Sequence, residues 1–448
     1  MNPLELVTKT LYSFEEKELA FQVLESFGKK ASTFNQYNDV AKCFFELKNF
    51  ERSVFYAEKS LNFASSIEES IVTKRNLINS YNQYNFPEKA FSLINDLKNK
   101  NIYDQETMLE EAFSLSALNR KKESAELLFK LLEQKLDSEI LKKAYHNLSD
   151  FYFRKDDIHN GLKHFLKNSE EEAYKNKEIK KYKKWNGEII KNKTIIIDNE
   201  CGAGDEVMHV RFMRNLKELG MNPIWLSTRR ELVELFNLNG YNSVCVWDNP
   251  EFPEDSVWVY SLALPYHLNL KAEDLWKKPY LKTNPRIDKK WEWIKEDKNY
   301  KVGLFWASSS GFEQNSFRSV NLSNYMEALH NKNYSLYSLQ IEGDNKEADE
   351  FPEIKQSFCI KGRSYDDTFS IINNLDLIIT SCSFTAHVAA SLGKEVCVFT
   401  PILEYYSWTS STGKPWWYGD NVHIFRQKTP RNWNEPTQEL KEFLNEIS

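Results

Sequence analysis

The amino-acid sequence changes character near residue 185, and this change constrains the fold more than any other feature. All 12 tryptophans lie at or beyond Trp185, together with 12 of the 14 glycines and 11 of the 13 prolines. The first part therefore lacks the turn residues that short strands need, and its apolar residues recur with helical spacing. The sequence predicts an all-helical N-terminal part that ends between residues 180 and 190.

The helical part contains four segments that are similar to one another. They read "NFERSVFYAEKSL" (49–61), "NFPEKAFSLINDL" (85–97), "RKKESAELLFKLL" (120–132) and "DDIHNGLKHFLKN" (156–168). Val54, Ala90, Ala125 and Gly161 occupy matching positions in them. Paired helices at this spacing, with a small residue where two helices touch, resemble tetratricopeptide (TPR) repeats. Such an array has a concave surface, which either binds a partner or only supports the second part of the chain.

Short apolar runs alternate with helical segments beyond residue 185. The predicted strands are 194–198, 223–227, 243–247, 256–261, 301–306, 335–339, 376–380 and 395–399. The predicted helices are 205–219, 229–238, 322–331, 366–374, 384–392 and 436–446. This alternation predicts two Rossmann-like lobes with parallel sheets, separated by the polar stretch 271–299, and a ligand cleft at the carboxyl ends of the strands. The predicted domains are 1–182, 183–285 and 286–448.

Composition excludes several classes of protein. The net charge of −6 argues against a nucleic-acid-binding role, which usually needs a basic face. No run of about 18 apolar residues is present, so no transmembrane segment is expected, and the acidic first residues do not read as a secretory signal. The six cysteines are scattered without a C-x-x-C pair. That pattern favours reduced thiols, a cytoplasmic location and no zinc site.

The first segment that could carry chemistry is the glycine turn "GAGDEVMHVRF", 202–212. Gly202 and Gly204 allow a sharp turn and close approach of a ligand, but Val207 stands where a dinucleotide turn has its third glycine. Asp205 falls in the first turn of the predicted helix. It is either a helix cap, stabilised by the helix dipole, or a general base that faces the cleft. His209, one turn later, would face the same side.

The second segment is "LDLIITSCSFTAHVAASLGKEVCVF", 375–399, which predicts a strand, a polar turn, a short helix and another strand. Ser381, Ser383 and Thr385 lie at the start of the predicted helix. Hydroxyls and free backbone N–H groups at a helix N-terminus can bind an anion. The alternative is that these hydroxyls only cap the helix.

The third segment is "VGLFWASSSGFEQNSFRSV", 302–320. A predicted buried strand is followed by a polar loop with Ser308 and Ser309, and then by Arg318. The planar fork of an arginine suits a phosphate, so Arg318 could neutralise a leaving diphosphate. The alternative is a pairing between Arg318 and a surface acid.

These segments, in this order, resemble one known family. Residues 185–433 are similar to the GT-B glycosyltransferases related to bacterial ADP-heptosyltransferases, in the branch with N-terminal TPR repeats. The match rests on "WNGE" (185–188), "GAGDEVMHVRF" (202–212), "VGLFWASSS…FRSVNL" (302–322), "YSLQIEGD" (337–344), "DDTFSIINNLDLIITSCSFTAHVAASLGK" (366–394) and "SWTSSTGKPWWY…IFRQ" (407–427). Two positions depart from the pattern. Many members of the family carry Asp where this chain has Cys382, and heptosyltransferases proper commonly carry Lys where it has Arg318.

The resemblance implies a hexosyl- or heptosyltransferase that moves a sugar from a nucleotide-diphosphate sugar to an acceptor hydroxyl without a metal. It implies that Asp205 is the base, that Arg318 neutralises the diphosphate, and that the turn from Thr380 to His387 cradles the donor phosphates. The expected donor-side residues are Ser308, Ser309, Gln340, Ser381, Cys382, Ser383, Thr385 and His387, and the expected acceptor-side residues are Gly204, Glu206 and His209. The chain also contains no D-x-D motif, the acidic metal clamp of the other glycosyltransferase fold. No cofactor is expected besides the nucleotide-sugar substrate.

Other functions fit the sequence less well. An NAD-dependent oxidoreductase would need the third glycine, and a nucleophilic hydrolase would need a G-x-S-x-G turn. The strongest alternative is an inactive TPR adaptor that keeps a degenerate GT-B domain, with which Cys382 is consistent. The helical array favours a protein acceptor, and the heptosyltransferase kinship favours a lipid-linked glycan. Self-association through the array stays open.

Overall fold

The computed structural model describes residues 3–14, 16–172, 177–199, 202–275, 277–307, 315–330, 332–341, 346–409 and 414–447. These residues form two compact units. Unit 1 contains the described residues within 1–144, 310–317 and 429–431, and unit 2 contains those within 145–309, 318–428 and 432–448. No helix in the described ranges is both long and apolar enough to cross a membrane.

The N-terminal part is a series of helices, as the sequence predicts. The helices are α1 Pro3–Ser13, α2 Lys17–Lys30, α3 Phe34–Glu46, α4 Phe50–Asn62, α5 Ile67–Gln83, α6 Pro87–Asn99, α7 Gln105–Ala117, α8 Lys121–Leu132, α9 Ser138–Phe153 and α10 Ile158–Glu172. The first eight belong to unit 1, whereas α9 from residue 145 onward and all of α10 belong to unit 2.

A residue in the left-handed backbone region reverses the chain within each helix pair from α3 to α10. These residues are Lys48, Asn85, Asn119 and Asp156, with φ between 58° and 63°. Asn and Asp enter this region at a lower steric cost than most residues, because their short polar side chains can hydrogen-bond locally. The four pairs therefore share one type of turn, which corresponds to the weak sequence repeat.

Small side chains let the helices of a pair approach each other. Ser53 Oγ donates to the carbonyl of Ala41 at 2.9 Å, and Ser124 Oγ donates to that of Ala112 at 2.7 Å. Both bonds join the second helix of a pair to the first across 12 residues. In the last pair, a Cβ at Gly161 would lie 2.5 Å from the ring of Phe153. Gly161 is one of the matching positions of the repeat and is a helix contact point, as predicted, while Ser53 and Ser124 each directly precede another matching position.

The first lobe of unit 2 contains a five-stranded parallel sheet. Its strands are β1 Lys183–Lys184, β2 Thr194–Asp198, β3 Asn222–Ser227, β4 Ser243–Cys245 and β5 Val257–Tyr260, in the order β1-β5-β2-β3-β4. Its helices are α11 Ala203–His209, α12 Met213–Glu218, α13 Arg230–Leu238 and α14 Leu264–His267. The predicted helix 205–219 is α11 and α12 with a 3₁₀ turn, Val210–Phe212, between them.

The second lobe contains a six-stranded parallel sheet in the order β11-β10-β9-β6-β7-β8. Its strands are β6 Tyr300–Phe305, β7 Tyr334–Ser338, β8 Ile354–Lys355, β9 Leu377–Ser381, β10 Glu395–Thr400 and β11 Val422–Arg426. Its helices are α15 Pro285–Trp291, α16 Asn315–Arg318, α17 Leu322–Leu329, α18 Tyr365–Asn373, α19 Phe384–Ser391 and α20 Asn434–Glu446.

Both faces of the second sheet are buried. Along β9, Leu377 and Ile379 belong to one apolar cluster and Ile378 to another. Strands covered on both sides are typical of doubly wound α/β folds. The predicted fold class, a TPR-like array followed by two Rossmann-like lobes, is confirmed.

Candidate functional site

The glycine turn places Asp205 at the start of α11, on the carboxyl side of β2. Its Oδ2 accepts a hydrogen bond from the backbone N–H of Gly202 at 3.1 Å, so the carboxylate does cap the helix. Its Oδ1 accepts a second hydrogen bond, at 3.1 Å, from the hydroxyl of Tyr405, which follows β10. Burial raises the pKa of Asp205 to about 6, while these two donors and the charge of Arg229 act in the opposite direction. A carboxyl with this pKa can act as a base near neutral pH.

Glu206 is fully buried, and both of its oxygens have partners inside the first lobe. Trp225 Nε1 donates to Oε2 at 2.9 Å, and Arg229 Nη1 pairs with Oε1 at 2.5 Å. Burial raises the pKa of Glu206 in spite of the arginine. These contacts fasten α11 to β3 and favour a structural role for Glu206 over the predicted acceptor-side one.

His209 lies one turn further along α11 and is also buried. Its Nε2 is 2.7 Å from the hydroxyl of Tyr406, and its Nδ1 has no partner among the described residues. Burial holds the pKa of His209 well below its ordinary value. The imidazole is therefore neutral at physiological pH, which favours a packing role over proton transfer.

The hydroxyl turn between β9 and α19 has the form that the sequence predicts. Ser383 is the N-cap residue of α19, yet its side chain makes no cap hydrogen bond and lies 3.1 Å from Thr380 Oγ1 instead. Thr385, in the first turn of the helix, is buried. The first N–H groups of α19 are therefore not capped by Ser383, as expected of a helix N-terminus that binds an anion.

Arg318 lies beside this turn. Its Nη1 donates to the carbonyl oxygen of Cys382 at 3.3 Å, so two of the three predicted segments meet here. Burial lowers the pKa of Arg318, but a guanidinium remains charged in any protein environment. Burial raises the pKa of the Cys382 thiol to about 11. Residue 382 is thus uncharged near neutral pH.

Four residues at the carboxyl edge of the second sheet each have a buried polar side-chain atom with no hydrogen-bond partner in the described part of the chain. They are Trp306, Ser381, Thr400 and Gln427, which end or directly follow the adjacent strands β6, β9, β10 and β11. Among the residues that the structure describes, Trp306 Nε1, Ser381 Oγ, Thr400 Oγ1 and Gln427 Nε2 have no hydrogen-bond partner. Buried polar groups are nearly always paired with protein, water or a ligand. This edge therefore has the unused polar groups that a ligand site needs.

Of the remaining predicted donor-side residues, the structure describes Gln340 but not Ser308 and Ser309. Gln340, two residues beyond the end of β7, is buried, and its Nε2 donates to the carbonyl of Ala307 at 3.0 Å. It therefore fixes the chain that leaves β6 on the same edge of the sheet.

The two lobes meet where α11 and α19 begin. A Cβ at Gly204 would lie 2.8 Å from His387 Cδ2 and 3.5 Å from the Cα of Phe384. His387 Nδ1 is 2.6 Å from the hydroxyl of Tyr418, and its ring stacks on Trp408 at 4.7 Å. Burial lowers the pKa of His387 to about 3, so this ring is neutral as well. The contact brings the glycine turn of one lobe against the hydroxyl turn of the other.

Sequence reasoning missed the aromatic residues that hold this contact. Tyr405, Tyr406 and Trp408 follow β10, and Tyr418 lies further along the same connection to β11. Their signal in the sequence is the aromatic density of "EYYSW" (404–408) and "KPWWY" (414–418) in a stretch with no helical or strand period. That signal marks a buried loop, but it does not reveal that Tyr405 reaches Asp205.

Gly204→Ala tests the closeness of the two turns. We expect the added methyl group to push α11 away from α19 and to destabilise unit 2 by about 1–3 kcal/mol, as for overpacked cores. Thermal unfolding followed by tryptophan fluorescence would measure the change. Gly202→Ala is the control, because its Cβ would meet only the carboxylate of Asp205, at 3.3 Å. Equal midpoints for the two variants would contradict the close packing at Gly204.

No family model and no curated protein matches the sequence. Solved structures do match. A glycosyl transferase family 9 protein from Veillonella parvula is 8% identical, with a TM-score of 0.40 over 54% of this chain and 88% of that chain. The E. coli heptosyltransferase WaaC with ADP is 11% identical, with a TM-score of 0.37 over 57% and 100%. An O-GlcNAc transferase variant from Thermobaculum terrenum is 11% identical, with a TM-score of 0.31 over 100% and 94%.

Proposed function

We propose that this chain is a metal-independent glycosyltransferase that moves a sugar from a nucleotide-diphosphate sugar to an acceptor hydroxyl. The observation that carries the proposal is the meeting of two different helix starts. One bears Asp205, a carboxylate with a pKa of about 6, and the other bears an uncapped hydroxyl turn with Arg318 beside it. A base and an anion site on facing lobes are what a transfer from a diphosphate requires.

The proposed reaction uses these groups in one step. Asp205 takes the proton of the acceptor hydroxyl while that oxygen forms a bond to the anomeric carbon of the sugar. The bond between this carbon and the diphosphate oxygen breaks, and the electron pair leaves with the diphosphate. The guanidinium of Arg318 and the N–H groups at the start of α19 stabilise the negative charge that develops there. The unpartnered polar groups at the sheet edge, such as Ser381, are then available to the donor.

We further propose that the acceptor is a protein. Unit 1 contains a cavity of about 420 Å³ with a mixed lining, whose polar members include Asp39, Lys42, Asn76, Asn79 and Ser80. Amide and carboxylate side chains can bind the N–H and carbonyl groups of a polypeptide. A lipid-linked glycan acceptor is the alternative. Assays with peptides and with glycolipids as acceptors decide between them.

Nucleotide binding tests the donor part of the proposal. At about a hundred times its dissociation constant, a nucleoside diphosphate or nucleotide sugar should stabilise the protein by roughly 2.7 kcal/mol. Arg318→Ala should weaken binding of the diphosphate about 10- to 100-fold, because a charged hydrogen bond of about 1.5–3 kcal/mol is lost. Thermal shift and calorimetric titration would measure both effects.

Two controls make this test specific. Arg230→Ala removes an exposed arginine whose partner is Asp248, and its nucleotide affinity should equal that of the wild type. The free nucleoside, which lacks phosphates, should bind Arg318→Ala as it binds the wild type. Stabilisation by no nucleotide at all would favour the inactive adaptor, in which Asp205 is only a helix cap. The uncharged Cys382 is the feature that favours that alternative.

A further inference from the structure

We propose that Arg154, directly after α9, is a positioning residue for Asp205. It binds Glu404 and so holds the hydroxyl of the neighbouring Tyr405 on the Asp205 carboxylate. The last helix pair is then part of the site and not only a support for the lobes. The importance of Arg154 for catalysis rests on the proposed function, but its effect on the Asp205 carboxyl does not.

The first link is a group of four charges around the buried side chain of Glu404. The fourth member is Asp150, whose carboxylate accepts hydrogen bonds of 3.1 Å from Arg154 Nε. Glu404 has a side chain with no exposed surface, and it lies between two arginines. Arg154 Nη2 forms an ion pair with Glu404 Oε1 at 2.5 Å, without the geometry of a hydrogen bond, whereas Arg426 Nε donates a hydrogen bond to Oε2 at 2.6 Å. Arg154 Nη2 also donates to the carbonyl of Ile402 at 3.0 Å. Arg154 therefore holds both the side chain of residue 404 and the backbone just before it.

The second link is aromatic packing on the same segment. The rings of Phe153 and Phe165, one from each helix of the last pair, lie 5.6 Å and 5.2 Å from the ring of Tyr406. Tyr406 in turn contacts His209 on α11 through its hydroxyl. The segment that carries Tyr405 is thus packed against α9 and α10 on one side and α11 on the other.

The third link is the hydrogen bond between Tyr405 and Asp205. A hydrogen bond to the charged form of a carboxyl favours that form. Burial and the charge of Glu206 favour the protonated form of Asp205, whereas the hydroxyl of Tyr405, the N–H of Gly202 and the charge of Arg229 oppose it. The hydroxyl of Tyr418 is a further titratable group near Asp205, because the charge of Asp205 contributes, after burial, to the raised pKa of Tyr418. Loss of the Tyr405 hydroxyl therefore makes Asp205 harder to ionise.

Without Arg154, Glu404 would keep only one of its two cations in a buried position. A buried carboxylate that loses a partner moves toward water or takes up a proton. Either change releases the backbone of residues 402–405 from its present place. Arg154→Met should therefore act on Asp205 in the same direction as Tyr405→Phe, although Arg154 does not touch Asp205.

The test measures the titration of Asp205 directly. A water-soluble carbodiimide couples an amine to a carboxyl group, and the coupling at Asp205 is followed against pH by mass spectrometry of the peptide that contains it. We expect the midpoint to rise by about half a pH unit or more in Tyr405→Phe and in Arg154→Met. The double variant should equal Tyr405→Phe alone, because Arg154 acts through Tyr405. Arg154→Lys, which keeps the charge, should show a smaller rise of the midpoint than Arg154→Met.

The proposal is overturned if Tyr405→Phe moves the midpoint and a folded Arg154→Met does not, or if the two shifts simply add. Circular dichroism checks the fold of each variant. If Arg154→Met does not fold, Glu404→Gln replaces it, since the amide keeps the shape of the side chain but removes the charge that both arginines bind. The same upward shift is then expected. If the variants show the expected midpoint shifts but the wild type transfers no sugar, the proposed function is refuted and this inference still holds.

Discussion

Asp205→Asn is expected to lower the rate of sugar transfer by about 10²- to 10⁴-fold, the usual contribution of a general base. The amide is nearly the same size as the carboxylate, and its oxygen can still accept a hydrogen bond from Gly202 or Tyr405. What it cannot do is take a proton from the acceptor. The affinity for a nucleoside diphosphate should stay within a factor of about two, because Asp205 lies on the lobe that we assign to the acceptor.

The pH profile gives this prediction a second readout. With Asp205 as the base, the rate of the wild type should fall about tenfold per pH unit below a pH near 6, where the carboxylate takes up its proton. The residual rate of Asp205→Asn should not show this decrease at low pH. Asp248→Asn, at an exposed position in the same lobe, is the matched control and should keep the full profile. Wild-type activity in Asp205→Asn would make Asp205 a helix cap and nothing more.

The fold could be predicted from the sequence where local rules and tertiary packing agree. Strand β9 starts with three apolar residues in succession, 377–379, because both of its faces are buried. The adjacent helix α19 follows the hydroxyl residue Ser383 and is terminated by the turn at Gly393, whose φ is 76°. Strand β11, "VHIFR", was not predicted. It lies at the edge of its sheet, and His423 and Arg426 interrupt its apolar pattern.

The site could be predicted only in part, because its contacts join distant segments. Tyr405 meets Asp205 across 200 residues, and no local pattern encodes that distance. Glu206 illustrates the opposite difficulty. It follows Asp205 directly, but successive residues of a helix point about 100° apart. Asp205 therefore faces Tyr405, while Glu206 faces Trp225 inside the lobe.

Arg229→Met should destabilise the first lobe by about 3–5 kcal/mol, because it leaves Glu206 buried without its cation. The folded variant keeps a proton on Glu206 that the unfolded chain releases above a pH of about 4.3. The folded state then binds more protons than the unfolded state, so stability falls as the pH rises. The deficit should therefore be larger at pH 8 than at pH 5. Hydrogen exchange of peptides from β2 and β3 would measure the local free energy of opening.

The comparison that decides this prediction is the double variant Glu206→Leu with Arg229→Met. It replaces the ion pair by apolar side chains, and such replacements are often neutral or stabilising. The double variant should therefore recover most of the stability that Arg229→Met loses, less the hydrogen bond that Trp225 gives to Glu206. Arg230→Met, at the next and exposed position, is the control, and its free energy of local opening should equal that of the wild type. A double variant no more stable than Arg229→Met would mean that Arg229 stabilises the lobe through its packing and not by compensating the charge of Glu206.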